Sequence, residues 1–311
     1  MSDRTIPREV EAGSPVSIII PTYQRQDVLC DTLRSVLSQD WPSMEIVVVD
    51  QTPGMIDPLQ ALLAEYPNTI RYERQVEPNL PRARNRAIAL ATTDTLLFID
   101  DDVVLPPGFI KAHVTRLYAS EQTGAVTGPS VGSLSDDVDA MMPGLRTLFS
   151  LPPAPDTAQY FQASWFVGCN VSLKRLAVQR AGPFDESFTG SAFCEDVDMA
   201  VRIRQCGLHV MFDRQAWLVH LALQAGGCET RNHVDAEPRG RERFQHLLYC
   251  RLKHASYEGL GVTARLLYRA YRAFALNRPT LARGPRFALS QARIAAAETW
   301  RAYQRVRATH H

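Results

Sequence analysis

The stretch that decides the fold is Thr95-Leu96-Leu97-Phe98-Ile99-Asp100-Asp101-Asp102-Val103-Val104-Leu105-Pro106-Pro107. It begins with a short apolar run, which is typical of a buried strand. The run stops at three consecutive aspartates, and the Pro-Pro pair prevents the strand from continuing. The sequence therefore predicts a buried strand over residues 95–99 with three carboxylates at its carboxyl end.

The three aspartates have the spacing that a metal site requires. Successive side chains of an extended chain point to opposite sides, so Asp100 and Asp102 point the same way and Asp101 the other. Two carboxylates about 4 Å apart repel by roughly 4 kcal/mol at an effective dielectric of about 20. Binding of a hard divalent cation, Mn²⁺ or Mg²⁺, removes that repulsion. The alternative is a solvated acidic turn, but the preceding strand favours the metal, because open α/β sheets bind ligands at strand ends.

Strands alternate with helices on the N-terminal side of this stretch. Short apolar runs predict strands over residues 16–20, 45–49, 69–73 and 95–99. Apolar residues at helical spacing predict helices over residues 27–39, 58–66 and 80–91. This alternation is typical of an α/β fold with a doubly wound, mostly parallel sheet and helices on both faces.

The pattern on the C-terminal side of the stretch is less regular. It predicts helices over 109–118 and 193–206, strands over 125–128, 164–172, 209–213 and 217–220, and a long loop over 130–157, where Ser, Asp, Gly and Pro are frequent. An Arg-rich composition beyond residue 230 predicts several amphipathic helices. We therefore divide the chain into a flexible tail (1–14), an α/β domain (15–230) and a basic, mostly helical extension (231–311).

Charge is distributed unevenly, although the whole chain of 311 residues carries a net charge of only +1. Residues 231–311 hold 16 Lys and Arg against 5 Asp and Glu, a net charge of +11, and residues 1–230 carry −10. This asymmetry predicts that the C-terminal extension contacts an anionic partner. An anionic membrane surface, lipid phosphate head groups and nucleic acid all fit this charge.

Cysteine usage and hydropathy predict a cytoplasmic protein. None of the six cysteines forms a Cys-x-x-Cys pair, which disfavours a zinc site, and their scatter through apolar contexts is typical of reduced thiols. The first 14 residues lack the apolar core of a signal peptide. No apolar run approaches the roughly 18 residues of a transmembrane helix. We expect cytoplasmic localisation, with peripheral contact at the inner face of the membrane through the basic extension.

Polar residues follow three of the predicted strands at the same edge of the sheet. Thr22, Asp50 and Asp100 stand at carboxyl ends of parallel strands, where doubly wound sheets bind nucleotides. No Gly-x-Gly-x-x-Gly follows the first strand, and there is no Gly-Lys-Ser/Thr phosphate loop. Their absence argues against a dinucleotide-dependent dehydrogenase and against a P-loop enzyme. Asp50 either caps the following turn or accepts a hydrogen bond from a ring N–H of a nucleotide base.

Three further sets of residues each allow a structural and a functional interpretation. Arg82 and Arg84 open a predicted helix before the acidic strand, where they are either solvated or donate to a diphosphate. Glu195 and Asp196 start a later helix, either as partners of its dipole or with Asp196 as a general base. His220 ends a short apolar run and is either a packing residue or a metal ligand.

Six motifs resemble, in their order along the chain, those of the family 2 inverting glycosyltransferases. They are Val16-Ser17-Ile18-Ile19-Ile20-Pro21-Thr22-Tyr23, Val49-Asp50, Ala83-Arg84-Asn85, Phe98-Ile99-Asp100-Asp101-Asp102, Gly182-Pro183-Phe184-Asp185-Glu186 and Glu195-Asp196-Val197-Asp198. The resemblance covers roughly residues 15–225 and implies the GT-A fold, a single α/β domain that binds nucleotide sugars. Two features depart from the family: Leu80-Pro81-Arg82 replaces the glycine that often precedes Ala-Arg-Asn, and the basic extension matches no family motif.

The resemblance implies roles for the residues of the donor and metal site. The implied donor-binding residues are Thr22, Tyr23, Arg25, Asp50, Arg82, Arg84, Asp100 and Asp101. Among them, Asp50 is expected to hold the base. Asp100 and Asp102 form the DxD pair of the family, in which Asp102 binds Mn²⁺ or Mg²⁺ and Asp100 lies near the ribose and the metal. His220 matches a metal-ligating histidine of many members.

The resemblance also implies the reaction. Asp196 deprotonates the acceptor hydroxyl with support from Glu195, while Gly168 and Asn170 border the donor sugar and the acceptor. The expected function is metal-dependent transfer of a hexose, with inversion, from a UDP-sugar to a carbohydrate or lipid-linked acceptor in polysaccharide or glycolipid synthesis, with no nucleic acid partner. A nucleotidyltransferase on a similar sheet and a sugar-nucleotide-binding protein without turnover are the alternatives.

Overall fold

The computed structural model describes residues 13–149, 158–223, 227, 236–259, 264–265, 268 and 285–309. Within these ranges, the strands are β1 (Val16–Thr22), β2 (Met44–Asp50), β3 (Ile70–Arg74), β4 (Thr95–Ile99), β5 (Val103–Val104), β6 (Thr123–Thr127), β7 (Ser130–Val131), β8 (Tyr160–Ala163), β9 (Asn170–Lys174), β10 (His209–Asp213) and β11 (Leu218–His220). The helices are α1 (Gln26–Leu37), α2 (Asp57–Glu65), α3 (Leu80–Leu90), α4 (Phe109–Tyr118), α5 (Val138–Phe149), α6 (Arg175–Ala181), α7 (Glu195–Gln205), α8 (Ala236–Lys253), α9 (Ala255–Glu258) and α10 (Pro285–Thr309).

The main sheet has eight strands in the order β3-β2-β1-β4-β9-β6-β10-β8. Strands β1 to β4 are parallel to one another, and β6 is parallel to β10. Strand β9 runs antiparallel to both β4 and β6, and β8 runs antiparallel to β10. The predicted α/β fold with a mostly parallel sheet is therefore confirmed, with two reversed strands that the hydrophobic pattern did not reveal.

Both faces of the sheet are covered, as the continuous apolar strands predict. Ile19 of β1 packs in a hydrophobic cluster with residues of α3, α6 and α7. The next residue, Ile20, enters a second cluster with residues of α1, α2 and α4 on the opposite face. Since neighbouring side chains of a strand point to opposite faces, one apolar run fills both layers of the core.

A smaller sheet of three strands, in the order β5-β11-β7, brings a distant part of the chain to the acidic stretch. Strand β11 pairs antiparallel with β5, and the register sets His220 opposite Val103. The backbone N–H of Leu221 donates to the carbonyl of Asp102 at 2.9 Å. This pairing fixes the chain after His220 beside the end of β4.

Two predictions for the C-terminal side of the stretch were wrong. Residues 130–157 were expected to form a loop, but β7 and α5 lie within the described part of them. Asp137 accepts hydrogen bonds from the N–H groups of Asp139 and Ala140 at the start of α5, so polar residues that suggested a loop instead cap a helix. The single strand expected over 164–172 is also interrupted, because β8 ends at Ala163 and β9 begins at Asn170.

The described part of the basic extension is helical, as predicted. Helix α8 packs on α10, where Arg241 Nε donates to Glu298 Oε1 at 2.8 Å. Residues 1–12, most of the predicted helical run over 265–274 and the segment 150–157 lie outside the described residues. None of the helices in the ranges given above combines the length and the apolar character needed to cross a membrane.

Candidate active site

A cavity of about 1040 Å³ opens at the carboxyl ends of β1 and β4. Eleven of the residues that the sequence suggested line it, contributed by six separate segments of the chain. They are Thr22, Tyr23, Arg25, Arg84, Asp100, Asp101, Asp102, Gly168, Glu195, Asp196 and His220. The fold therefore gathers most of the candidate residues in one place.

One end of the cavity is formed by the turn after β1 and by the acidic stretch. Thr22 Oγ1 donates to Asp101 Oδ2 at 2.6 Å, and Arg25 Nη1 lies 3.3 Å from Asp101 Oδ1. Burial raises the pKa of Asp101 to about 7, although the Thr22 hydrogen bond and the Arg25 charge both act to lower it. Asp101 thus faces β1, away from His220, as strand alternation predicts.

Asp100 and Asp102 face His220. The Nε2 atom of His220 lies 3.1 Å from Asp102 Oδ1 and 3.4 Å from Asp100 Oδ2. The close carboxylates of Asp100 and then of Asp102 raise the pKa of His220 to about 10. The three side chains thus form a compact acidic cluster in which the imidazole holds a proton.

The composition of this cluster fits a divalent cation. Asp102 Oδ1 is buried and has no well-aligned hydrogen-bond donor, although His220 is close. Ligand atoms of Asp100, Cys169 and His220 all lie within 4.8 Å of one another. Carboxylate oxygens and a neutral imidazole are suitable ligands for Mn²⁺ and Mg²⁺. A cation bound here would take the place of the proton on His220.

Cys169 at this cluster was not predicted from the sequence. Its position next to Gly168 was a signal, because a residue adjacent to a candidate in the same segment reaches the same cavity. Burial raises the pKa of the Cys169 thiol to about 12, so the thiol is neutral at physiological pH. A neutral thiol is a poor ligand for a hard cation, which leaves the carboxylates and the imidazole as the better ligands.

The first turn of α7 forms another part of the cavity wall. Asp196 Oδ1 accepts from the N–H of Val197 at 2.8 Å, and Asp196 Oδ2 accepts from the N–H of Gly168 at 3.2 Å. Burial raises the pKa of Asp196, whereas Arg84 acts to lower it. A carboxylate with a raised pKa is a stronger base, which is the property that proton abstraction requires.

Arg84 of helix α3 contacts this turn of α7. Its Nη1 forms a very short contact with Glu195 Oε1, and both side chains are almost completely buried. Gly168 is required by the same contact, because a Cβ there would lie 2.4 Å from Arg84 Nη2. The glycine at position 168 therefore leaves the space through which the guanidinium reaches Glu195.

Asp50 does not line the cavity. Its side chain is fully buried and accepts hydrogen bonds from Gln26 Nε2 at 2.7 Å, Tyr72 Oη at 3.0 Å and the N–H of Thr52 at 2.7 Å. A carboxylate has about four lone-pair positions, so one remains for a further donor. A contact between Asp50 and a base stays a prediction.

Two other predicted site residues lie away from the cavity. Arg82 is on the surface in ion pairs with Glu77 at 3.0 Å and Glu186 at 2.9 Å. Asn170 is fully buried, and its Nδ2 donates to the carbonyls of Pro129 at 3.1 Å and Ala216 at 2.9 Å. Asn170 therefore presents no exposed surface to the cavity in this structure, and its expected position beside the sugar and the acceptor stays a prediction.

Helix α8 contributes residues to the cavity that sequence reasoning assigned to the extension alone. Arg243, Leu247 and Arg251 line the cavity together with Phe193 and Trp165. The three α8 residues are spaced four apart, which places them on one helix face. That spacing was visible in the sequence, but no pattern indicated that this face turns toward the sheet.

Comparisons with known proteins place the chain in a family. The chain is 26% identical over 230 residues to validoxylamine A glucosyltransferase of Streptomyces hygroscopicus subsp. limoneus, which covers 65% of this chain and 50% of that protein. The chain therefore spans about half the length of this relative.

Solved structures share the fold. PcManGT, a mannosyltransferase from Pyrobaculum calidifontis solved with GDP-Man and Mn²⁺, superposes with a TM-score of 0.58 at 20% identity, covering 93% of this chain and 75% of its own. GalNAc-T7, solved with UDP, GalNAc and Mn²⁺, superposes with a TM-score of 0.55 at 14% identity, covering 76% of this chain and 48% of its own. The GT-A fold implied by the sequence motifs is thereby confirmed. The family profile described as glycosyl transferase family 2 matches residues 17–178, more than half of the chain, and the protein belongs to that family.

Proposed function

We propose that the protein is a metal-dependent inverting glycosyltransferase that moves a hexose from a nucleoside diphosphate donor, a UDP-sugar, to an acceptor hydroxyl. The observation that carries the proposal is that one cavity is lined both by the Asp100–Asp102–His220 cluster and by Asp196. Transfer of a sugar requires both, because negative charge develops on the leaving diphosphate while the acceptor loses a proton.

In this proposal, separate residues of the chain stabilise the leaving diphosphate and accept the proton of the acceptor. Thr22, Tyr23 and Arg25 border the nucleoside, and Asp100, Asp102 and His220 would hold a Mn²⁺ or Mg²⁺ ion. Such an ion, when bound, neutralises the charge of the departing diphosphate. The relatives solved with GDP-Man and with UDP both contain Mn²⁺, which supports a sugar-nucleotide donor without selecting the base.

Asp196 is the proposed general base. The acceptor hydroxyl donates its hydrogen to the Asp196 carboxylate as its oxygen attacks the anomeric carbon from the face opposite the diphosphate. The Arg84–Glu195 pair lies next to Asp196 and fixes the start of α7 against the Gly168 segment. Attack from the opposite face inverts the configuration of the sugar.

A thermal-shift screen of UDP-, GDP- and dTDP-sugars, each with and without Mn²⁺, tests the proposal. We expect one nucleotide to raise the melting temperature only with the metal, because ligand at about 100 Kd adds roughly 2.7 kcal/mol to stability. Asp102→Ala should abolish that shift, since Asp102 is the buried member of the cluster. Equal shifts with Mn²⁺ and with EDTA in the wild type would contradict metal-dependent binding.

Product analysis separates the proposal from its two alternatives. A glycosyltransferase releases a nucleoside diphosphate, a nucleotidyltransferase releases inorganic pyrophosphate, and a binding protein releases neither. We expect the nucleoside diphosphate. Detection of pyrophosphate instead would assign the carboxylates to attack on an α-phosphate and leave Asp196 without its proposed role.

We also propose that the acceptor belongs to cell-envelope polysaccharide or glycolipid synthesis and that the protein works in the cytoplasm at the inner face of the membrane. The support is the net charge of +11 over residues 231–311. Trp300 and Tyr303 of α10 add exposed aromatic surface, with 59% and 43% of their areas accessible. Basic residues with interfacial aromatics are typical of peripheral membrane contacts.

A further inference from the structure

Strand pairing brings three segments that are distant in sequence to the carboxyl end of β4. Asp100 follows β4, and the antiparallel register of β4 and β9 pairs Ile99 with Asn170. Continuing this register by one residue sets Cys169, which precedes β9, opposite Asp100. Strand β11 brings His220 to the same place, because it pairs with β5 directly after the acidic stretch. The fold therefore gathers a carboxylate, a thiol and an imidazole.

The ligand atoms of these three side chains lie close enough to hold one ion. An oxygen of Asp100, the sulfur of Cys169 and a ring nitrogen of His220 are all within 4.8 Å of one another. His220 Nε2 lies 3.4 Å from Asp100 Oδ2, the separation expected of two ligands bound about 2.0–2.2 Å from a tetrahedral zinc ion. Zinc–sulfur bonds are about 2.3 Å long, so the sulfur has to move by no more than about 1 Å.

A tight turn holds Cys169 beside this cluster. The N–H of Asn170 donates to the carbonyl of Val167 at 3.1 Å, which closes a four-residue turn with Cys169 at its third position. Cys169 Sγ lies 3.6 Å from Ser130 Oγ, whose hydroxyl can donate to the sulfur when the sulfur is a thiolate. Cys169 also lines the cavity, so an ion that enters the cavity reaches the sulfur.

The carboxylate of Asp102 gives the cluster a second set of ligands. Asp102 does not belong to the group of three, but its Oδ1 lies 3.1 Å from His220 Nε2. This oxygen is buried without a well-aligned donor, which independently indicates a cation at the cluster. The two sets share Asp100 and His220 and differ in the third ligand, which is either the Asp102 carboxylate or the Cys169 thiol.

The third ligand decides which ion each set prefers. Hard cations such as Mn²⁺ and Mg²⁺ prefer oxygen ligands, whereas Zn²⁺ combines thiolate, imidazole and carboxylate in one site. A given set of nitrogen, oxygen and sulfur ligands also binds Zn²⁺ more tightly than Mn²⁺. A coordinating thiol loses its proton to water when the ion binds, so the neutral thiol of Cys169 does not prevent zinc binding.

We propose that Asp100, Cys169 and His220 form a zinc site that binds Zn²⁺ in competition with the Mn²⁺ or Mg²⁺ of the proposed reaction. Because the two sets of ligands share Asp100 and His220, the two ions exclude each other. The inference goes beyond the proposed function and rests on it only for the ion that zinc displaces. The lack of a Cys-x-x-Cys pair disfavoured zinc, but a linear pattern does not connect ligands from three distant segments.

Titration of the metal-free full chain with Co²⁺, a spectroscopic substitute for Zn²⁺, tests the sulfur ligand directly. A thiolate bound to Co²⁺ gives a charge-transfer band in the near ultraviolet. We expect this band in the wild type, kept reduced by a phosphine, and its loss in Cys169→Ser. Cys206→Ser is the matched control, because Cys206 is a partly exposed free thiol that does not line the cavity, and it should retain the band.

Displacement of Mn²⁺ tests the overlap of the two sets of ligands. Electron paramagnetic resonance measures the free Mn²⁺ that added Zn²⁺ releases from the protein. Cys169→Ser should bind Mn²⁺ like the wild type, since the hard ion uses the carboxylates. Release from the wild type should need about 100-fold less Zn²⁺ than release from Cys169→Ser, because even changes outside the ligand set cost about 10–100-fold in metal affinity.

Failure of this inference is distinguishable from failure of the proposed function. If Cys169→Ser keeps the charge-transfer band, or if Zn²⁺ releases Mn²⁺ equally from both proteins, Cys169 is not a ligand and the inference is overturned, while the glycosyltransferase proposal stands. If the wild type binds no Mn²⁺ but shows a Co²⁺ band that Cys169→Ser lacks, the sulfur ligand is established and the metal dependence of the proposed function is contradicted.

Discussion

Arg84 is a buried side chain that contacts the first turn of α7, where the proposed base Asp196 lies. It is buried, pairs with Glu195, and lies with its guanidinium carbon 5.5 Å from the centroid of the Phe184 ring. Its charge acts against the burial that raises the pKa of Asp196. The arginine therefore connects the position of the first turn of α7 with the basicity of its carboxylate.

Asp196→Asn tests the assignment of the base, because it preserves the shape of the side chain and removes its basicity. We expect kcat to fall by about 10²–10⁴-fold, the usual contribution of a general base, with nucleotide affinity nearly unchanged. In the wild type, kcat should decrease as the pH falls through the pKa of Asp196, which lies above the ordinary aspartate value of about 3.9. Loss of nucleotide binding in the variant would identify Asp196 as a structural residue instead.

Gly168→Ala tests the space that Arg84 needs. An added Cβ would lie 2.4 Å from Arg84 Nη2, so the guanidinium must move away from Glu195 and Asp196. We expect turnover to fall by tenfold or more, about 1.4 kcal/mol in the barrier, while the protein remains folded by circular dichroism. Gly144→Ala is the matched control, since nothing lies within 4 Å of its added Cβ. Equal turnover by Gly168→Ala and Gly144→Ala would show that the position of the Arg84 guanidinium does not affect turnover.

The sequence allowed prediction of where residues at the end of a strand or helix lie. The acidic stretch and His220 belong to this group, because strand alternation and the apolar runs place them. Asp50 and Asn170 do not, since most of the hydrogen-bond partners that bury them come from segments far away in sequence. Cys169 and the α8 arginines were missed for the same reason: a linear pattern does not tell which distant elements share a cavity.

At the scale of elements, the contact between α7 and α8 is built around one buried carboxylate. Asp198 is completely buried, and it accepts from His254 Nε2 at 2.9 Å and Arg202 Nε at 2.9 Å. Lys253 bridges Asp198 and Asp185, both at 2.8 Å. Burial acts to raise the pKa of Asp198, but the His254 hydrogen bond and the charges of Arg202 and Lys253 outweigh it and hold that pKa below its ordinary value.

Asp198→Asn should lower the free energy of unfolding at neutral pH by roughly 3–5 kcal/mol, because it leaves buried cationic partners without their counter-charge. A carboxylate with a lowered pKa stabilises the folded state above its unfolded value of about 3.9 and loses that contribution as the pH falls through the folded value. The difference between variant and wild type should therefore shrink in acid.

Urea unfolding at a series of pH values measures this difference. The control is Asp31→Asn, whose partner Arg34 and own side chain are both largely exposed, and it should change stability little at any pH. If the free energies of unfolding of Asp198→Asn and the wild type differ by the same amount down to acid pH, the substitution acts through packing and not through charge.

The positions of helices and strands were predictable where the hydrophobic pattern is strong. They were less predictable where polar residues can either form a loop or cap a helix. Strands β1, β2 and β4 are continuous apolar runs, and their predicted positions agree with the structure. Helix α5 was missed because the residues before it favour turns and caps equally. The reversed direction of β9 was not predictable, since an apolar run has the same pattern in either direction.

At the scale of the whole molecule, positive charge is concentrated in residues 231–311 and negative charge in residues 1–230. This distribution motivates a test of membrane contact. We expect the full-length protein to sediment with vesicles of phosphatidylcholine and phosphatidylglycerol at low salt, to be released at high salt, and to remain in the supernatant with phosphatidylcholine alone. The variant Trp300→Ser/Tyr303→Ser should bind less, because it removes exposed aromatic area from α10.

Leu134→Ser is the control for this experiment, since Leu134 is 60% exposed and lies outside the basic extension. It should sediment like the wild type. Equal recovery of the wild type in the supernatant with neutral and with anionic vesicles at low salt would leave the extension as a packing element of the catalytic domain.

The family profile ends at residue 178, while Asp196, His220 and helix α8 all come later in the chain. A likeness confined to the matched residues therefore covers Asp100 and Asp102 but neither His220 nor Asp196. Proteins that share the matched part with this chain can still differ in the imidazole that completes the proposed metal site and in the carboxylate that is proposed to activate the acceptor.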